Sequence, residues 1–407
     1  MPKSKQKTIS VPRGFLFAAG DGGLRTHGSG PDVGLAYSLV PARVAALFTA
    51  NRVKAAPVLV SERHLRASRH TAQAIVVNAG NANCATGAHG MQAACDCASR
   101  AAALLKIPAS QVLLASTGVI GVPLDLRRIT DLLPALVRRM HPEGWSSMAR
   151  AMLTTDTRPK VVSRLFTIGG RRITILGMAK GAGMIYPRLK PSATMLAFLF
   201  TDAVVEPQFL QRAAARACEL SFNRISVDGD TSTNDTVFLM ANGMAGGRAI
   251  GEKSAAAEKF FDALVAATQE LAMALVRDGE GAKKVAEIRV EQARSEKQAD
   301  AIARAIALSP LVKTALAGAD PNWGRILSAA GNAGVQFDPH RTDIYLNRMR
   351  VCRHGGAAKF NEAAASKLLQ AKDVLIRVTL RQGSAQARFW TCDFTADYIR
   401  INASYRT

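Results

Sequence analysis

Met195-Leu196-Ala197-Phe198-Leu199-Phe200-Thr201, followed by residues 206–220, sets the terms for the whole chain. The first piece is a short apolar run without polar alternation, which suits a strand covered on both faces. The second repeats apolar residues every three to four positions, as a helix with one buried side does. The same alternation extends in both directions. Short apolar runs bounded by Gly, Pro, Asn or Asp lie at residues 74–78, 173–176, 237–241, 286–290, 373–379 and 387–391, and helical periodicity at 124–140, 254–277, 296–317 and 358–371. Strands and helices that alternate through a chain predict a layered α/β architecture. No internal repeat or low-complexity segment interrupts it. The Gly/Lys-rich turn at residues 279–284, where a helical pattern gives way to a strand pattern, is the candidate domain boundary.

Length and composition bound the function. A chain of 407 residues with 48% apolar content is expected to bury two cores, and hence to form two packed units. No stretch reaches the roughly 18–20 consecutive apolar residues of a membrane helix, and the basic, polar residues 1–7 lack the apolar segment of a signal peptide, so the expected compartment is the cytoplasm. Cys84, Cys95, Cys97, Cys218, Cys352 and Cys392 form no C-x-x-C pair and have no His at zinc spacing; they read as small buried residues of a reducing compartment, with no metal site. The formal charge of +22 raises the class of nucleic-acid binders. Against it, Arg127, Arg128, Arg138 and Arg139 are spaced for the solvated face of a helix. Aromatics make up only 6% of the chain and none are interleaved as a stacking platform. The charge is expected to favour anionic substrates and weak nonspecific RNA binding, with no specific nucleic-acid partner.

Four segments are too polar for core and too rigidly composed for ordinary loops. They are Asn78-Ala79-Gly80-Asn81-Ala82-Asn83, Ala115-Ser116-Thr117-Gly118-Val119-Ile120-Gly121, Lys180-Gly181-Ala182-Gly183-Met184-Ile185 and Val227-Asp228-Gly229-Asp230-Thr231-Ser232-Thr233-Asn234-Asp235. Glycines let backbone approach a ligand, and small polar side chains supply fixed donors and acceptors. One such cluster is turn chemistry; four in one chain point to a polar site built from loops at strand ends.

With these segments stand the opening Val11-Pro12-Arg13-Gly14-Phe15, Leu153-Thr154-Thr155-Asp156-Thr157, Ser192-Ala193-Thr194-Met195-Leu196-Ala197-Phe198, Asp278-Gly279-Glu280-Gly281-Ala282, Asp320-Pro321-Asn322-Trp323-Gly324-Arg325-Ile326 and the final Asp397-Tyr398-Ile399-Arg400-Ile401-Asn402-Ala403-Ser404-Tyr405-Arg406-Thr407. In this order, and over essentially the whole chain, they resemble the ornithine acetyltransferase family, the bifunctional glutamate N-acetyltransferases. The resemblance implies an N-terminal-nucleophile-like layered α/β sandwich, with a catalytic unit over residues 1–281 and a smaller α/β unit over residues 282–407 that lends its tail to the site. It implies self-cleavage between Ala193 and Thr194, after which Thr194 is the nucleophile. A threonine hydroxyl needs a base beside it, and a freed α-amine, of reference pKa about 7.7–8.0, supplies one within the same residue.

By the same resemblance Thr117 and Gly118 form the oxyanion hole, Lys180 and Glu280 read the substrate's opposite charges, and Thr154, Asn402 and Thr407 complete the substrate shell. The implied reaction moves acetyl from N2-acetylornithine to glutamate through an acetyl-Thr194 intermediate, in arginine biosynthesis. No metal or organic cofactor is implied, and acetyl-CoA is a candidate co-substrate. The implied assembly is two copies of each cleavage fragment. The chain departs from the family pattern at Arg188-Leu189-Lys190-Pro191-Ser192, which is longer and abuts the scissile bond. That departure keeps open an N-terminal-nucleophile hydrolase, or an acyltransferase of another amino-acid substrate. The Asp228 to Asp235 and Asp320 to Ile326 motifs are read as holding loops together.

Overall fold

The computed structural model describes residues 9–25, 29–187 and 195–404. The chain opens with β1 (Phe15–Gly20), the long β2 (Val33–Phe48), α1 (Ala56–Ala67), β3 (Thr71–Asn78), α2 (Gly87–Leu105) and β4 (Val112–Ser116). Helices α3 (Arg127–Thr130), α4 (Leu133–Arg139) and α5 (Trp145–Ala151) precede the hairpin of β5 (Lys160–Ile168) and β6 (Arg171–Lys180). Next come β7 (Leu196–Thr201), α6 (Pro207–Glu219), the short β8 (Ile225–Ser226), β9 (Thr236–Ala241) and α7 (Ala257–Arg277). The remainder is β10 (Val285–Ala293), α8 (Glu296–Leu308), α9 (Pro310–Ala317), α10 (Trp323–Gly331), β11 (Asp343–Leu346), β12 (Met349–Arg353), β13 (Gly356–Ala357), α11 (Glu362–Leu369), β14 (Asp373–Thr379), β15 (Ala385–Cys392) and α12 (Ala396–Ser404). Among these residues no helix is long and apolar enough to cross a membrane.

The strands form two sheets, so the architecture is mixed α/β as the alternation predicts. The first runs β4-β3-β2-β9-β7-β6-β5, with β1 also on β2; the second runs β13-β12-β11-β14-β10-β15-β8. In β7 every residue is buried, and its side chains alternate between two cores. Ala197 and Leu199 face Phe209, Leu210, Leu264 and Leu271 of α6 and α7. Leu196, Phe198 and Phe200 face the other way, toward Phe15 and Phe17 of β1. This is why the run carries no polar alternation. The α6/α7 layer also reaches the second sheet, since Val285 and Cys392 join the same core.

β2 makes this packing possible. Its ladder to β3 shifts register between Tyr37 and Ala42, and Pro41, which has no N–H to donate, sits in that interval. On its other edge β1 pairs with residues 33–38, and β9 pairs with residues 43–48. One strand therefore serves two sets of neighbours, and side chains from both sets fill one core.

Two of the expected helices are divided. The pattern over residues 124–140 becomes α3 and α4, with Pro134 in the first turn of α4; the pattern over 296–317 becomes α8 and α9, with Pro310 opening α9 and Ser309 capping it through the amide of Val312. Proline tolerates a helix start but not a helix interior, so apolar periodicity that runs through a proline belongs to two helices. The six cysteines are free, and all but Cys95 are buried.

Candidate active site

The four polar clusters converge. Each follows or precedes a strand whose position the sheet fixes: residues 79–83 leave β3, Thr117 and Gly118 leave β4, Lys180 ends β6, and Asp235 abuts β9. Buried asparagines bind them together. Asn78 Nδ2 donates to the Asn81 carbonyl at 2.8 Å and Ser116 Oγ to Asn78 Oδ1 at 2.6 Å, while Asn234 Nδ2 donates to the carbonyls of Ala82 and Ser116 at 2.6 and 2.9 Å. These amides are why the segments need Asn: a carboxamide has N–H donors for backbone carbonyls and an oxygen that accepts, as Asn78 does from the Ser116 hydroxyl.

The clusters enclose a cavity of about 250 Å³. Thr117, Gly118, Thr154, Lys180, Met195, Asp228, Glu280, Tyr398 and Asn402 all line it. Lys180, buried, donates to Thr117 Oγ at 3.0 Å and to Thr154 Oγ at 2.8 Å. Asn402 of α12 donates to Glu280 Oε2 at 2.8 Å, and the Glu280 amide donates to the Ala182 carbonyl at 2.9 Å. Five expected site residues in addition to Gly118 thus share one space, which holds a buried cation, Lys180, and a buried carboxylate, Glu280. Ala193, Thr194 and Thr407 lie outside the described residues; Met195, the next residue after Thr194, is on the cavity wall.

Two glycines are required by this geometry. Gly118 has φ +130°, and a Cβ there would overlap the Gly80 carbonyl carbon and lie 2.6 Å from the Asn81 nitrogen. At Gly183 a Cβ would lie 2.5 Å from the Glu280 carboxyl carbon. Both positions let one loop press directly against another.

Burial and neighbours set the charges. Burial drives the Lys180 amine below its ordinary pKa, against the attraction of Asp156, Glu280 and Asp235, with Lys160 opposing. Asp156 is pushed up by burial, but Lys180, Lys160 and the Gly181 amide together outweigh that and hold it below the usual carboxylate range. Burial raises the Asp228 carboxyl to about 6, although the amides of Asp230, Ile185 and Met184 pull the other way. Asp228 accepts from Met184 N at 2.6 Å, Ile185 N at 2.8 Å and Tyr398 Oη at 3.4 Å. The expectation that the Asp228 motif only holds loops is therefore too narrow: Asp228 does hold the loop after β6, and it also lines the cavity. Asn322 is the loop-holder expected, capping α10 through the Arg325 amide at 3.1 Å. Sequence reasoning passed over Asp156, Lys160 and Asp278 as charged groups of the site; the Thr154 motif contains the first and the Glu280 motif the last, but Lys160, which joins them, lies in neither and is 118 positions from Asp278.

A larger groove, of about 1200 Å³, lies around Arg171 at the other end of β6. Its charged residues are exposed and none of the four polar clusters reaches it, so the smaller cavity is the candidate site.

The ArgJ family profile matches residues 17–407. The arginine biosynthesis bifunctional protein ArgJ of Symbiobacterium thermophilum is 45% identical over 400 residues, covering 98% of each chain, and that of Geobacter sulfurreducens is 44% identical over 396 residues, covering 97% of this chain and 99% of its own. Of solved structures, the ArgJ of Bacillus halodurans is 41% identical with a TM-score of 0.51, over 52% of this chain and 100% of that one. The ornithine acetyltransferase of Mycobacterium tuberculosis, complexed with ornithine, is 29% identical with a TM-score of 0.37, over 45% of this chain and 93% of that one. Matched over almost its whole length by profile and relatives alike, the chain belongs to the ArgJ family.

Proposed function

We propose that this member of the family is a glutamate N-acetyltransferase of arginine biosynthesis, acting through Thr194 after cleavage of the Ala193–Thr194 bond. The observation that carries the reading is the cavity at the start of β7, lined by both the Lys180–Thr117–Thr154 cluster and the Glu280–Asn402 pair. An amino acid has an ammonium, a carboxylate and, once acetylated, a neutral amide. A buried cation and a buried carboxylate lining one cavity suit such a molecule better than one of a single sign.

In the proposed reaction the Thr194 α-amine takes the proton of its own hydroxyl as the oxygen attacks the acetyl carbon of N2-acetylornithine. The amide C–N bond breaks, the proton passes to the leaving ornithine nitrogen, and an acetyl ester remains on Thr194. Glutamate's amine then attacks that ester, giving acetylglutamate and restoring the hydroxyl. In both halves a negative charge grows on the acetyl oxygen, which the Thr117 hydroxyl and the backbone around Gly118 are proposed to receive. Loss of one such donor costs on the order of 2.7–4 kcal/mol in other enzymes. Thr407 and a two-plus-two fragment assembly remain part of the proposal, as does acetyl-CoA as a second donor. No resident cofactor is proposed.

Cleavage is supported by proportion: about half of this chain covers the whole of the solved Bacillus halodurans chain. The test is intact mass and N-terminal analysis of purified protein, with trapping of an acetylated Thr194 peptide. Two chains beginning at Met1 and Thr194, and label on Thr194, are expected. An uncleaved protein that transfers acetyl at full rate sinks the amine-as-base mechanism, and release of free acetate in place of acetylglutamate turns the reading to a hydrolase.

A further inference from the structure

Behind Lys180 stands a buried line of alternating charge that the reaction above does not use. Lys180 Nζ is 3.9 Å from Asp156 Oδ2; Lys160 Nζ is 2.5 Å from Asp156 Oδ1 and 2.5 Å from Asp278 Oδ2. Side-chain exposure is 9% for Lys180, 0% for Asp156, 1% for Lys160 and 4% for Asp278. The remaining valences are filled: Asp156 accepts from Gly181 N at 2.6 Å and Thr154 N at 3.2 Å, and Asp278 accepts from the amide and hydroxyl of Thr157. The line ends at the C-cap of α7, two residues before Glu280. It thus runs from the cavity's cation to the turn that carries its carboxylate.

The consequence lies in the direction of a hydrogen bond. A lysine ammonium has three donors and no acceptor, so while Lys180 is charged, Thr117 Oγ can only accept from it. The hydroxyl proton of Thr117 must then point elsewhere, and Thr117 lines the cavity. A neutral Lys180 amine could accept that proton instead, and the donor would turn away from the substrate. Burial alone favours the neutral amine. The groups facing Lys180 decide the balance: Asp156, Glu280 and Asp235 favour charge, and Lys160 opposes it. Asp278 is the counter-ion that neutralises Lys160.

We propose that Asp156 is a positioning residue which, backed by Lys160 and Asp278, keeps Lys180 charged and so fixes the Thr117 hydroxyl as a donor into the cavity. This rests on the functional reading above for the use of that donor, but not for the charge itself. Asp156→Asn keeps the shape and one oxygen for the Gly181 amide, and Asp278→Asn perturbs the same line one step further from Lys180. The pH dependence of Lys180 labelling by acetic anhydride, read by peptide mass spectrometry, reports its charge without reference to turnover. The half-labelling pH is expected to fall by about one unit or more in Asp156→Asn, and by less in Asp278→Asn. The alkaline limb of kcat/KM for acetyl transfer should fall by the same amount, with activity at the acid end retained. An unchanged labelling pH in folded protein, checked by thermal unfolding, overturns the proposal, as does a uniform loss of kcat/KM with an unmoved limb. A shifted labelling pH in a protein whose wild type transfers no acetyl group upholds the charge line and removes the functional reading.

Discussion

At Gly118 two loops meet so closely that a single methyl group decides whether they fit. The residue has φ +130°, a region essentially closed to side chains, and its missing Cβ would overlap the Gly80 carbonyl. Gly118→Ala is therefore expected to cost at least about 2 kcal/mol in urea unfolding, the sum of strain and displacement, and to abolish acetyl transfer even where the protein folds. A variant of wild-type stability would mean that the turn relaxes freely and holds nothing in place. Asp228 makes a different kind of prediction. Its carboxyl titrates near 6 when folded, against about 3.9 in an unfolded chain, so the folded state holds the proton more tightly. The stability this gives is complete below about pH 4 and is lost as pH rises through 6, by an amount on the order of 2 kcal/mol. Chemical unfolding measured from pH 4.5 to 7 should show that decline, and Asp228→Asn should flatten it. If the slope survives the substitution, the proton is bound elsewhere.

The elements differ in how plainly the sequence announces them, and the difference follows burial. β7 and β9 are buried along both faces, and α6 and α7 bury one side on them, so the apolar runs and the three-to-four periodicity are uninterrupted. Phe198 shows what that burial supports: it is fully buried and stacked on Phe238 at 5.8 Å. Phe198→Ala should destabilise by about 3–5 kcal/mol, read from the urea midpoint at constant slope. A change under about 1 kcal/mol would mean that the two cores on either side of β7 can close the gap. β2 is nearly three times as long as β7 and less legible, because Leu39 and Arg43 are exposed and Pro41 interrupts it between two sets of partners. α2 buries Ala93, Ala94, Cys97, Ala98, Ala101 and Ala102, residues too small to stand out against an alanine-rich background. The site follows the same logic. Thr117, Thr154, Lys180, Glu280 and Asn402 lie in the compact motifs that carry the family resemblance, and it is through that resemblance that the sequence pointed to them. Asp278 meets Lys160 from 118 positions away, a pairing that no local pattern encodes.

For the molecule as a whole, the sheet order limits what cleavage can do. In β4-β3-β2-β9-β7-β6-β5, the strands β7 and β9 lie after residue 194, while those flanking them on both sides lie before it. β7 is paired to β6 over six residues and β9 to β2 over six more. Separating the two proposed fragments would strip both of those ladders and expose Phe198, Phe200 and Phe238. Cleavage at Ala193–Thr194 is thus expected to leave two chains that behave as one body. They should comigrate on gel filtration, appear as two bands only under denaturing conditions, and unfold in a single transition. Refolding should differ. Once cleaved, the inner strands must find their neighbours as a bimolecular event, so recovery of the cleaved protein from denaturant should depend on its concentration, whereas Thr194→Ala, expected to remain one chain, should regain its native monomer fold at a rate independent of concentration. Fragments that part on gel filtration without denaturant would contradict the interleaved sheet. Concentration-independent refolding of a demonstrably cleaved protein would show that one fragment carries the fold without the other, which two strands set between the partner's own do not permit.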